Sequence, residues 1–320
     1  MKILTGIIAL ALAATTMQAA AQTYPARPVR TIIAFPPGSA TDIIGRVIVA
    51  KVTELWGQQV IADNRGGAGG SLGTALAAQA PADGHTLLIN SGAFTVAPYM
   101  YTKLPYNIQK DFIDISALVA MPNVLVVPPS SRMKSLRDFI AEAKANPGKI
   151  NFAYAGIGSG THLNSEKFKY AAKIDFTLVA YKGSGEAIVD VMAGRVDSYF
   201  APLSAGLPYI QSGKMRPLAV TSLQRASQLR DVPTMSEAGV PKFEFLLWFG
   251  LWGPSGIPAP VLKKIRTGFS QALADPGVSG KLATLGNDVM KMSPQEFSKF
   301  VRQETADAAR LLKAAGVKPQ

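Results

Sequence analysis

The stretch Thr31-Ile32-Ile33-Ala34-Phe35-Pro36-Pro37-Gly38-Ser39-Ala40-Thr41-Asp42 joins an apolar run to a loop of small residues. Ile43, Ile44, Val47, Ile48, Val52 and Leu55 then recur at helical spacing, so the stretch reads as strand, loop and amphipathic helix. The design returns at Ile150-Asn151-Phe152-Ala153-Tyr154-Ala155-Gly156-Ile157-Gly158-Ser159-Gly160-Thr161-His162, which runs into Leu163, Phe168 and Ala171. A glycine-rich turn between strand and helix lets backbone N–H groups approach a ligand, and the helix N-terminus adds roughly half a positive charge. Two such loops, far apart in the chain, predict a pair of anion-binding jaws, one on each of two α/β lobes.

The chain opens with Lys2, an apolar stretch from Ile3 to Ala14 and the small residues Ala19-Ala20-Ala21. This pattern predicts a secretory signal peptide over residues 1–21, cleaved after Ala21, with an apolar stretch too short to span a bilayer. The chain has no cysteine, so neither a disulfide framework, a thiol chemistry nor a lipid-anchored cysteine is available. The remaining length of roughly 300 residues exceeds one comfortable core and favours two lobes. The net charge of +12, from 33 basic and 21 acidic residues, is scattered and has no longer run than Lys263-Lys264. That distribution argues for solubility and a bias toward anionic small ligands, and against nucleic acid.

Strand-like and helix-like segments alternate along the chain, which predicts α/β lobes with largely parallel sheets. Val60-Ile61-Ala62 and Thr86-Leu87-Leu88-Ile89-Asn90 read as strands, and the latter ends at Ser91-Gly92, facing the cleft. Val124-Leu125-Val126-Val127 begins a new region, and Tyr181-Lys182-Gly183-Ser184-Gly185 is a further strand-to-helix turn. Phe245 to Trp252 is a strongly apolar strand returning to the first lobe, and Ser293-Pro294-Gln295-Glu296 opens a terminal helix. The expected division is lobe one over 22–122 and 226–320, with lobe two over 123–225.

Enzyme signatures fail by spacing. Around Ser159 a hydrolase elbow would need glycine two residues either side, and Ile157 and Thr161 stand there. Gly156 and Gly158 begin a dinucleotide pattern whose third glycine position is Thr161. With two histidines and no cysteine, no metal site and no cofactor are expected. The candidate contacts are instead small hydroxyls: Ser39, Ser159 and Thr161, which can cap helices and face an anion at once. His162 could donate to a bound carboxylate or brace its own loop. Asp42 would repel an anion, so its expected part is to hold the loop backbone, with direct contact reserved for a ligand amino group. Tyr181 and the aromatic Phe249 are expected to line the cleft, whereas His85 reads as a surface residue and Lys182 as a solvated one.

The chain resembles the receptors of tripartite tricarboxylate transporters, the Bug family of bacterial periplasmic proteins. The resemblance rests on Tyr24-Pro25, Phe35-Pro36-Pro37-Gly38 through Asp42, Asn64-Arg65, Asp83-Gly84, Pro122 to Val127 and Ala145-Asn146-Pro147-Gly148. It also rests on Gly158-Ser159 with His162-Leu163, Tyr181-Lys182-Gly183, Leu218 to Ser222, and Asp231-Val232-Pro233-Thr234 with Glu237-Ala238-Gly239. It implies a two-lobed venus-flytrap architecture of the type II-like periplasmic-binding-protein kind and a non-enzymatic role. The implied ligand is a small carboxylate, held by the loops Pro36 to Asp42 and Gly156 to His162, and the implied partners are membrane permease subunits. A membrane sensor served by the same module is the alternative, an exported hydrolase a weaker one, and nothing demands more than a monomer. The chain departs from the family where Ser39 stands in place of a second glycine, and where the final helix has Ala309-Arg310-Leu311 and lacks the tryptophan common there.

Overall fold

A computed structural model describes residues 24–319, and the expected leader with its cleavage site lies outside them. The first elements are β1 (Val29–Ile33), α1 (Ala40–Trp56), β2 (Val60–Asn64), α2 (Ser71–Ala78), β3 (Thr86–Ser91) and α3 (Ala93–Met100). A 16-residue strand, β4 (Phe112–Val127), leads into α4 (Leu136–Ala145), β5 (Asn151–Tyr154) and α5 (Gly160–Ala172). Then come β6 (Thr177–Ala180), α6 (Ser184–Met192), β7 (Ser198–Pro202), α7 (Leu203–Gln211) and β8 (Arg216–Val220). The chain ends with β9 (Leu246–Pro254), α8 (Ala259–Ala274), α9 (Pro276–Thr284), β10 (Asp288–Val289) and α10 (Pro294–Ala314).

Local chemistry sets the helix ends. Ser39 caps α1 by accepting from the Asp42 N–H, and Gly57 ends the helix in the left-handed region at φ 62°. Ser293 and Glu296 form the reciprocal capping box of α10, with Pro294 at its first position. The apolar stripe of α1, Ile44, Ile48 and Val52, is buried in one cluster with Val29, Leu87 and Ile89 of the sheet. Each such side chain contributes about 1.5–3 kcal/mol of hydrophobic stabilisation.

The strand order is β2-β1-β3-β9-β4-β7-β5-β6, with β8 and β10 also pairing to β4. Pairing is parallel within β2-β1-β3 and within β6-β5-β7, and antiparallel wherever β4 or β9 takes part. The sheet is therefore mixed, against the expectation of largely parallel sheets. The two long strands run counter to their neighbours because they carry the chain between halves rather than around a βαβ crossover. β4 also starts at Phe112, well before the Val124 at which the sequence suggests a strand.

β4 changes partner along its length. Phe112 to Pro122 lie against β9, while Asn123 to Val127 lie against β7 and β8. Each half of the sheet with its helices makes one lobe. Beyond position 226, Met235, Val240 and Phe243 pack in the cluster of Phe152, Phe168 and Phe200, and Thr234 bridges Val220. Met235, Val240 and Phe243 complete the phenylalanine core of the second half, Val232 packs in the larger cluster that holds Val29 and Leu87, and the chain pairs with β4 again from Leu246.

Candidate ligand-binding cleft

The first loop is held from beneath by Asp42. Its Oδ2 accepts from the Gly38 N–H at 2.9 Å, and its Oδ1 accepts from Asn64 Nδ2 at 2.9 Å and Arg46 Nε at 2.7 Å. A carboxylate so engaged fixes the loop rather than meeting a ligand. Asn64 also donates to the Phe35 carbonyl at 3.0 Å, tying β2 to the loop. Pro37 and Gly38 are exposed on the outer rim, and Pro36 is half-buried beside Gly183 of the other lobe. Gly38 takes φ +75°, which a side chain would strain.

The second loop is built the same way. Ser159 Oγ accepts from the His162 N–H at 3.2 Å and shares a hydrogen bond with Thr161 Oγ1, which in turn accepts from the Ala155 N–H at 2.9 Å. His162 braces: its Nδ1 accepts from the Gly158 N–H at 3.2 Å and its ring stacks on Tyr154 at 4.5 Å. Nε2 lies 3.8 Å from the Glu166 carboxylate. Burial, with a smaller push from the Lys169 charge, lowers its pKa to about 4. The ring is neutral at pH 7, with both nitrogens turned to the protein. These are the contacts of a brace, one of the two readings open for His162.

Between the loops lies a cavity of about 30 Å³, lined by Phe35, Ser39, Ala40, Thr41, Ser91, Ala155, Ser159, Gly160, Thr161, Ser184, Pro202, Leu247 and Phe249. No charged side chain lines it, and six hydroxyl residues do. Five helices begin at this wall: α1 at Ser39, α3 just beyond Ser91, α5 at Ser159, α6 at Ser184 and α7 just beyond Pro202. Ser39 and Ser91 oxygens already accept from backbone N–H groups, and Ser184 accepts from Tyr199, so each keeps a hydroxyl hydrogen to offer inward. Converging N-termini without a cation form a site for a small anion.

Half of the residues expected from sequence line this cavity, and half do not. Gly156 and Gly158 lie away from the cavity, against Gly69 and Met100 of the first lobe. Gly92 lines a neighbouring groove. The Tyr181 hydroxyl donates to Asp190 at 2.8 Å, which turns it along α6 rather than into the cavity. Lys182 is exposed as expected, but His85 is only 13% exposed, packed against the Tyr24 ring. Thr41, Ser184, Pro202 and Leu247 line the cavity without having been singled out. Thr41 and Ser184 stand inside loops the sequence marks, whereas Pro202 and Leu247 reach the cavity only through strand pairing.

The lobes touch across the cleft. Tyr101 Oη donates to the Ile157 carbonyl at 3.1 Å, and a side chain at Gly69 would strike that same carbonyl oxygen. Among the described residues no cluster of three His, Cys, Asp or Glu is placed to hold a metal, and no helix is long and apolar enough to cross a membrane.

A model of the tripartite tricarboxylate transporter family receptor matches residues 44–317. Among solved structures, Rpa4515 of R. palustris with adipate is 32% identical, superposes with a TM-score of 0.89 and covers 93% of this chain and 100% of that one. The periplasmic binding protein BugD is 33% identical, with a TM-score of 0.89 and coverage of 93% and 100%. MatC from Rhodopseudomonas palustris with bound malate is 30% identical, with a TM-score of 0.84 and coverage of 90% and 100%.

Proposed function

The chain belongs to the tripartite tricarboxylate transporter receptor family, whose members bind solutes rather than catalyse reactions, and on that premise we propose that it is a periplasmic receptor for a small carboxylate. The acid sits between the lobes, and the closed receptor delivers it to the membrane permease of such a transporter. The observation that carries this reading is the cavity where five helix N-termini and six hydroxyl residues converge with no charged side chain. Such a wall stabilises a carboxylate without a buried cation, and waters can adapt it to acids of different shape. Adipate and malate in two relatives support the ligand class. The proposed lobes are 22–122 with the chain from β9 onward, and 123–245, preceded by a leader cleaved after Ala21.

The test is a thermal-shift screen of the refolded, ligand-stripped protein against aliphatic dicarboxylates, citrate-like acids, acidic amino acids and aromatic acids. An acid at a hundred times its Kd stabilises the native state by about 2.7 kcal/mol. The controls are Ser39→Asp and Ser159→Asp, because aspartate caps a helix as well as serine while placing a negative charge in the cavity. Both variants are expected to melt near the wild type and to lose the shift. A shift that survives both would place the acid elsewhere.

A further inference from the structure

Beside the anion cavity runs a larger groove, about 510 Å³, between α3, α5, α10 and the start of β9. Gly160 and Leu247 line both spaces. They form the wall between them: a Cβ built on Gly160 would run into Leu247 Cδ2. Gly160, Leu163 and Lys167 present one face of α5 to the groove from the second lobe, while Trp248, Phe300 and Ala308 close it from the first. An occupant would thus touch both lobes, as the acid does in the smaller space. Its volume is that of a small-molecule site, and apolar side chains dominate its lining.

We propose, building on the carboxylate reading above, that this groove is the second compartment of the binding site. It receives the alkyl or aryl tail of an acid whose carboxylate the helix N-termini hold, and Leu247 is the swinging wall that admits it. The anion cavity is too small for more than a carboxylate head and a water or two, so the rest of any longer acid must pass Gly160 and Leu247. The charges argue for a tail with no second carboxylate. The Lys167 ammonium already donates to the Glu244 carbonyl and lies over the Phe243 and Phe245 rings. The Glu244, Glu304 and Asp307 carboxylates lie along the same groove, so an added anion would meet more negative than positive charge. Glu304 is engaged by the Trp248 indole N–H at 2.7 Å, which fixes the ring as one wall.

The experiment is calorimetric titration of the full mature protein with butyrate, octanoate, 4-phenylbutyrate, suberate and adipate. It is repeated on Ala308→Trp, which fills the groove, and on Leu247→Ala, which removes the wall. The wild type is expected to bind octanoate or 4-phenylbutyrate at least tenfold more tightly than butyrate, and more tightly than suberate. Ala308→Trp should abolish that advantage, while Leu247→Ala should strengthen 4-phenylbutyrate. Ala308→Leu carries the test if the tryptophan variant does not fold. Binding of adipate or butyrate with no gain from a longer uncharged tail, or a gain that survives the filled groove, overturns this inference and leaves the receptor reading intact. No binding of any acid overturns both.

Discussion

His162 shows how one side chain can look like a ligand contact and serve as a brace. A histidine in the first turn of a helix behind a glycine loop satisfies the pattern for an anion donor, and only the partners of its two nitrogens decide otherwise. Its neutrality has a consequence for stability. The folded pKa of about 4 lies below the unfolded value of about 6.5, so the unfolded chain binds the proton first. The contribution is complete above pH 6.5 and is lost as the pH falls toward 4, by up to about 3 kcal/mol. The urea midpoint of the wild type should therefore fall more steeply between pH 7 and pH 5 than that of His162→Gln. Half-buried Glu166 and Glu304, both held above the usual carboxylate range by burial, act in the opposite sense, and because Glu166 faces the imidazole the comparison with the variant reports on the pair. Equal slopes would show that the ring titrates normally.

At the scale of elements, the strand–loop–helix unit does two jobs at once. Ser39 and Ser159 both cap their helices and line the cavity, and Asp42 and His162 stiffen the loops from behind. A third loop, between β2 and α2, lies at the contact between the lobes and outside the cavity wall. Gly69 takes φ +59° and lies against the Ile157 carbonyl, leaving no room for a side chain. Gly69→Ala should cost about 1 kcal/mol through the left-handed backbone and also hold the lobes apart. The expected outcome is a weaker Kd for the acid that gives the largest thermal shift, by tenfold or more, with an unchanged circular dichroism spectrum. An unchanged Kd would show that the lobes close without this contact.

For the whole molecule, the two lobes are joined by β4 and by the return into β9, and the cavity and groove both lie between them. An acid that bridges the lobes as proposed would bind the closed arrangement better than an open one, and this differential affinity would shift the population. Small-angle scattering should show a smaller radius of gyration at saturating acid than in the ligand-stripped protein. Identical radii would mean that closure precedes binding or does not depend on it.

The sequence by itself determined the α/β alternation, the two capped loops and four of the six hydroxyl residues of the cavity wall. Those features rest on local rules: hydrophobic period, helix capping and the backbone freedom of glycine. Tertiary structure alone decided the rest. β4 reads in sequence as a short run beginning at Val124, because the partner that supports Phe112 to Pro122 is β9, more than a hundred residues away. Met235 and Phe243 carry no local mark of the phenylalanine core they join, since its members come from segments far away in the chain. Pro202 and Leu247 enter the cavity through strand register, and Tyr181 leaves it through one hydrogen bond to Asp190. Backbone preferences act over a few residues, whereas a cleft is assembled from segments that meet only when the sheet is complete.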